Sequence, residues 1–143
     1  MTSDQFNTLP LPQSMLATLT QLGYARMTPI QAQALPPILA GQDLIAQSPT
    51  GSGKTAAFGI GLLTPLNPRF FGCQALVLSP TRELAGQITD ELRKLARGMG
   101  NIKIVTLSGG VPFGPQAASL EQGAHVIVGT PGRILQLCRE KEL

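Results

Sequence analysis

Charge is sparse in this chain. Charged side chains make up 13% of its 143 residues, against 43% hydrophobic ones and a mean hydropathy of +0.15. So little charge excludes a disordered chain and commits the apolar residues to buried strands and helix faces. Cysteine is far scarcer. Cys73 and Cys138 fit neither a metal-ligand spacing nor a disulfide framework, and they read as buried thiols in a reducing compartment. The single histidine, His125, has no Cys/His cluster near it and reads as a strand-edge residue, not a ligand. No apolar run approaches the ~18 residues of a membrane span. The polar start MTSDQFNTLPLPQ lacks the basic head and apolar core of a signal peptide. A soluble, cytoplasmic protein with no membrane partner is expected. Repeats and low-complexity tracts are also absent. Eleven Lys and Arg over eight Asp and Glu leave a net charge of +3 and a pI near 9.2. A polyanionic partner is compatible with that margin, which is too small to argue for one alone.

The length suits one domain with a buried core. PQSMLATLTQLG reads as a helix with Leu16, Leu19 and Leu22 on one face and Gly23 past its end. TPIQAQALPPILAG reads as another, with Thr28 as N-cap and Pro29 at the first position. Pro36-Pro37 is expected to interrupt it or to start a second short turn. Beyond residue 42 the pattern changes. DLIAQ, ALVLSP, IKIVTLS and HVIVGT are short apolar runs, each followed by a glycine- or proline-marked turn and then a helical stretch. TRELAGQITDELRKLARG is the clearest helix, with Leu84, Ile88, Leu92 and Leu95 on one stripe and Gly98 as its stop. TPLNPRFFG is the most loop-like stretch. Continuous apolar strands alternating with amphipathic helices predict an α/β fold with a parallel sheet covered on both faces. Ligands in such sheets bind at the carboxyl ends of the strands, so the four turns there are where chemistry is expected.

The first of those turns is SPTGSGKTAAFG, residues 48–59. A phosphate loop needs consecutive backbone N–H groups that curl inward, and Gly51 and Gly53 permit the curl. A helix opening near Lys54 aims its positive end at the same oxygens. Thr50, Gly51, Ser52, Gly53, Lys54 and Thr55 are therefore the expected nucleotide contacts. Lys54 would meet the β- and γ-phosphates, and the Thr55 hydroxyl a Mg²⁺ carried by the nucleotide. The pattern departs from the general one in having Ser48 and Pro49 where glycine would open the loop. Hydrolysis also needs a carboxylate at a strand end. The acidic residues are Asp4, Asp43, Glu83, Asp90, Glu91, Glu121, Glu140 and Glu142, and none directly follows an apolar strand. Glu83 reads as structural, and LRKLARG as a solvated basic face.

GYARMTPIQ, TGSGKT, PTRELA, GG and TPGR occur in that order and spacing, and together they resemble the first half of the N-terminal RecA-like domain of DEAD-box RNA helicases. The resemblance covers essentially the whole chain, and the wording of TGSGKTAAFG and PTRELA is similar to a bacterial ribosome-assembly member. It implies ATP and Mg²⁺ as cofactors, and RNA, ribosomal RNA included, as partner. It also implies residue roles. Gln31 would read the adenine edge, since an amide both donates and accepts. Tyr24 would stack on the base, Arg26 flank it and Phe6 buttress the loop. Thr81 and Arg82, Gly109 and Gly110, and Thr130, Gly132 and Arg133 would hold the RNA backbone. From the residues alone, Thr81 and Thr130 are also plain helix N-caps and Gly109-Gly110 a plain turn.

The same resemblance implies a Q-motif region at 1–36, followed at 37–143 by the first part of a RecA-like ATP-binding domain. The D-E-A-D and S-A-T strands and a second RecA-like domain are not in these residues. The sheet is then incomplete, LIAQ lacks its usual neighbours, and the 143 residues are expected to be marginally stable and unable to hydrolyse ATP alone. The alternative reading is a catalytically silent nucleotide- or RNA-binding module.

Overall fold

The computed structural model describes residues 4–49, 51 and 53–140. They divide into two compact units, Met1–Pro65 with Lys94–Gly100, and Leu66–Arg93 with Asn101–Leu143.

The first unit is helical. A 3₁₀ turn, Phe6–Thr8, precedes α1 (Gln13–Gln21), α2 (Pro29–Leu39) and α3 (Lys54–Leu63). Met15, Thr18 and Leu19 form the buried face of α1, so Leu16 sits beside that face and not at its centre. Gly98 lies against α1: a Cβ there would stand 2.6 Å from Thr18 Oγ1 and 3.1 Å from the Ser14 carbonyl. Close packing therefore demands this glycine, besides its place just beyond a helix end. Pro36 and Pro37 do not break α2, which runs through both. Each proline removes one helical donor, but the Ala40 and Gln42 N–H groups still bond the Pro36 and Pro37 carbonyls. α2 packs along α3, where Gly61 meets Ile38 and Ile60 and Leu63 are fully buried.

The second unit holds the sheet. β1 (Ala75–Leu78), β2 (Ile104–Leu107) and β3 (Val126–Gly129) are parallel, in the order β1-β3-β2. Val105, Leu107 and Ile127 point to one face and join Ile134 and Leu137 of α6 (Pro131–Arg139), with Ala117 and Leu120 of α5 (Phe113–Glu121) against them. Thr106 points to the other face, where its hydroxyl lies 2.6 Å from that of Thr89 on α4 (Arg82–Leu95). Thr89 already donates to the Ala85 carbonyl, so Thr106 is the donor of this pair. β3 is buried along its whole length, as a middle strand with helices on both faces must be.

Four expectations are corrected. DLIAQ forms no strand: it carries strand-like residues, but no neighbour supplies ladder bonds to it among the described residues, and Ile45 is 99% exposed. The sheet thus has three strands, not four. Leu84 turns outward and Ala85 takes its place in the buried stripe of α4 with Ile88, Leu92 and Leu95. Both cysteines are exposed, because Cys73 lies in the turn before β1 and Cys138 on the outer face of α6. His125 is fully buried where the middle strand begins. Its Nδ1 accepts the Lys103 N–H at 2.9 Å, which leaves the Nε2 proton to donate to the Pro68 carbonyl at 2.9 Å. Phe71 packs on its ring at 4.5 Å.

Candidate functional site

The residues expected to meet a nucleotide lie in the helical unit, in two clusters. One is the loop that opens α3. Gly51 and Gly53 hold φ of 82° and 90°, the left-handed region that glycine enters without cost. The chain thus curls before α3 begins at Lys54. Lys54 is exposed and Thr55 half-buried in the first turn, whose leading N–H groups have no helical partner. Thr50 and Ser52 lie outside the described residues.

Gln31 packs directly on this loop. It is 2% exposed, its Oε1 accepts the Thr28 N–H at 2.9 Å, and its Nε2 donates to the Gly53 carbonyl at 3.2 Å. One amide therefore caps α2 and holds the residue that opens α3. A Cβ on Gly53 would stand 2.5 Å from Gln31 Nε2 and 3.0 Å from Thr28 Oγ1. The Thr28 hydroxyl is buried there facing the Gln31 backbone N–H, the other half of a capping box between the two residues.

The other cluster surrounds a cavity of about 240 Å³ lined by Phe6, Leu16, Thr20, Tyr24, Ala25 and Arg26, among others. Phe6 is buried, Tyr24 half-buried, and Arg26 exposed with an ion pair to Asp4 at 3.4 Å. Phe6, Tyr24 and Arg26 thus share one cavity, while Gln31 faces the loop.

The remaining expected residues lie in the sheet unit, at the carboxyl ends of the three strands. Thr81 follows β1 and caps α4, its Oγ1 accepting the Leu84 N–H at 3.1 Å. Ser79 donates its hydroxyl to the Thr81 carbonyl. Thr130 follows β3 and behaves differently. Its hydroxyl makes no bond to its own helix and instead accepts the Gly109 N–H of the neighbouring turn, at a long 3.4 Å. The Gly132 and Arg133 N–H groups are left in the open first turn of α6. Gly109 and Gly110 follow β2, and Gly110 has φ of 83° with Arg82 Nη1 only 2.6 Å from where its Cβ would be. Glu83 is exposed in the first turn of α4. Ser79, Ser108 and Thr130 directly follow β1, β2 and β3, so the first residue past each strand brings a hydroxyl and not a carboxylate.

Arg133 is bound on two sides. Nη1 donates to Gln116 Oε1 at 2.6 Å, Nη2 donates to the Val111 carbonyl at 2.9 Å, and the guanidinium lies 5.8 Å from the Phe113 ring centre. Gln116 in turn donates to the Ser108 carbonyl at 3.2 Å. Sequence reasoning did not reach Gln116, Val111 or Phe113. Nothing in the local pattern of α5 singles out Gln116, whose partner lies 17 residues away.

The family model described as DEAD/DEAH box helicase matches residues 28–143. The chain is 59% identical over 131 residues to the ATP-dependent RNA helicase DbpA of Escherichia coli K12, covering 91% of this chain and 29% of that protein. It is 43% identical over 139 residues to the DEAD-box ATP-dependent RNA helicase CshA of Streptococcus pneumoniae, covering 97% of this chain and 26% of that one. Among solved structures, a DEAD box protein from the hyperthermophile Methanococcus jannaschii superposes with a TM-score of 0.92 at 40% identity, over 98% of this chain and 38% of that chain. The chain thus spans under a third of the length of these two curated relatives.

Proposed function

The chain belongs to the DEAD/DEAH box helicase family, and on that premise we propose that it is the opening part of an ATP-binding, RNA-binding domain. In the full-length protein that domain works with a second RecA-like domain to couple ATP hydrolysis to local unwinding of RNA duplexes. Residues 1–36 form its Q-motif region and 37–143 the first part of its RecA-like domain.

ATP enters by its phosphates. The observation that carries this reading is the curl at Gly51 and Gly53 into α3, with the Gln31 amide holding the Gly53 carbonyl. Gly51, Gly53, Lys54 and Thr55 offer backbone N–H groups and one cation, and Thr50 and Ser52 are assigned to the same site from the sequence alone. These residues fit a polyphosphate. Thr55 would hold the accompanying Mg²⁺, which when bound neutralises charge on the β- and γ-phosphates. Tyr24, Arg26 and Phe6 surround a cavity suited to the base. Gln31 faces the loop and not that cavity, and with Oε1 bonded to Thr28 and Nε2 to Gly53 it would meet the adenine edge through its second amide proton and remaining lone pair.

RNA is held by its backbone, through Thr81 and Arg82, Gly109 and Gly110, and Thr130, Gly132 and Arg133. Support comes from their position at the carboxyl ends of three adjacent parallel strands, where two helix N-termini and a glycine turn leave N–H groups open to phosphate. Binding is then largely indifferent to sequence and falls with salt. Ribosomal RNA in the cytoplasm is the proposed target. The 143 residues alone bind nucleotide without hydrolysing it, in keeping with strand ends that carry no carboxylate.

Lys54→Ala in the full-length protein tests the nucleotide site. RNA-stimulated ATPase should fall about 10²- to 10³-fold, because the transferring phosphate loses its fixed cation. Near-normal turnover would remove the assignment.

A further inference from the structure

Arg133 is the one full cation in the TPGR turn, and an arginine at an RNA-facing turn is ordinarily taken as a phosphate ligand. Its bonds point elsewhere. Both terminal nitrogens are committed inward, one to Gln116 and one to the Val111 carbonyl, and its plane lies beside the Phe113 ring. Gln116 uses its other amide atom on the Ser108 carbonyl. Ser108 and Val111 are the residues on either side of Gly109-Gly110. The two carbonyls that bracket the glycine turn are therefore tied to α5 and α6 through a single Gln–Arg pair. Thr130 adds a third tie, at the Gly109 N–H. Gly110, at positive φ, has no hydrogen bond to its own N–H among the described residues, and Arg82 fills the space beside it. A glycine pair with so little side-chain restraint would otherwise sample many conformations and pay for ordering on each binding event.

We propose that Gln116 and Arg133 are positioning residues that hold the Ser108–Val111 turn in shape, so that the Gly110 N–H, unbonded among the described residues, and not the Arg133 guanidinium, meets an RNA phosphate. This rests on the reading of the three turns as an RNA surface. Gln116 then contributes to RNA affinity without touching RNA, and the Gln116 and Arg133 side chains act as a unit.

The test uses the full-length protein and a short fluorescent single-stranded RNA, titrated at several salt concentrations, with RNA-stimulated ATPase measured in parallel. Gln116→Ala and Arg133→Ala should each weaken RNA binding about tenfold, the scale of a lost charge-assisted bond. The double variant should be no weaker than either single one. The slope of log affinity against log salt should stay unchanged in all three. For Gln116→Ala the KM for RNA should rise while kcat at saturating RNA is retained. Gln116→Glu keeps the acceptor for Arg133 and loses only the donor to Ser108, so it should bind RNA more tightly than Gln116→Ala; equal loss would overturn the proposal. It is also overturned if Arg133→Ala flattens the salt slope by about 0.7, the signature of one lost phosphate contact on a single strand. Unchanged binding by Gln116→Ala would overturn it too. Gly110→Ala, which strains the turn directly, separates the two levels. If Gly110→Ala weakens binding and Gln116→Ala does not, only the positioning role falls. If neither does, the RNA surface itself is misplaced.

Discussion

Gly51 and Gly53 look alike in sequence and hold nearly the same φ, yet their surroundings differ. A side chain at Gly51 would meet nothing within 4 Å, whereas one at Gly53 would collide with the amide that braces the loop. Gly51→Ala should therefore cost only the left-handed backbone, roughly 1–2 kcal/mol. Gly53→Ala should cost more and should also weaken ATP binding, because Gln31 is pushed off the Gly53 carbonyl. Chemical denaturation and nucleotide titration of both variants check this, and equal effects would count against the bracing role. Cys73 supports a second residue-level expectation. Partial burial of its sulfur raises the thiol above its ordinary pKa, so at neutral pH less of it is thiolate. It should alkylate more slowly than a free thiol peptide, and the lag should close as pH rises through the raised value. The thiol's small contribution to stability is present below the unfolded-state pKa and lost over that same rise. A rate equal to that of the peptide would show the sulfur to be fully hydrated.

At the scale of elements, α4 and α6 begin in the same way in sequence, with threonine before the first turn, and end up held differently. Thr81 caps its own helix, while the Thr130 hydroxyl reaches sideways to the β2 turn. Thr81→Ala should destabilise the fold by about 1 kcal/mol, with Thr81→Ser close to wild type. Denaturant midpoints of the two variants decide the point, and an alanine variant as stable as the serine one would mean that the cap contributes nothing. The order of strand, turn and helix was legible from apolar runs and turn residues. So were the parallel sheet and the helices on both faces. DLIAQ shows where that legibility stops: its composition favours a strand, but a strand also needs a partner, and pairing is not written into five residues.

At the scale of the whole molecule, apolar surface stays open. Ile45 is 99% exposed, and Leu76 and Leu78 on the outer strand of the sheet are 50% and 56% exposed. β1 pairs only with β3 among the described residues, and exposed apolar residues on such an edge strand favour association. The isolated 143 residues should therefore unfold over a broad range and scatter light on heating. A sharp, reversible transition from a soluble monomer would contradict this. His125 makes the same point from inside: a residue that reads as a lone polar side chain at a strand edge is fully buried, tied by one ring nitrogen to Lys103 and by the other to Pro68.

What the sequence by itself determined is local. Glycine spacing, N-cap chemistry and apolar runs act over a few residues, and they suffice to order the elements, mark the turns and point to a phosphate loop and a family. What only the tertiary structure decided is who meets whom across 17 to 57 residues of chain: Gln31 with Gly53, Gln116 with Arg133, His125 with Pro68, and β3 between β1 and β2. Those meetings depend on which surfaces are left to be covered once the local elements have formed, and packing settles that over the whole chain at once.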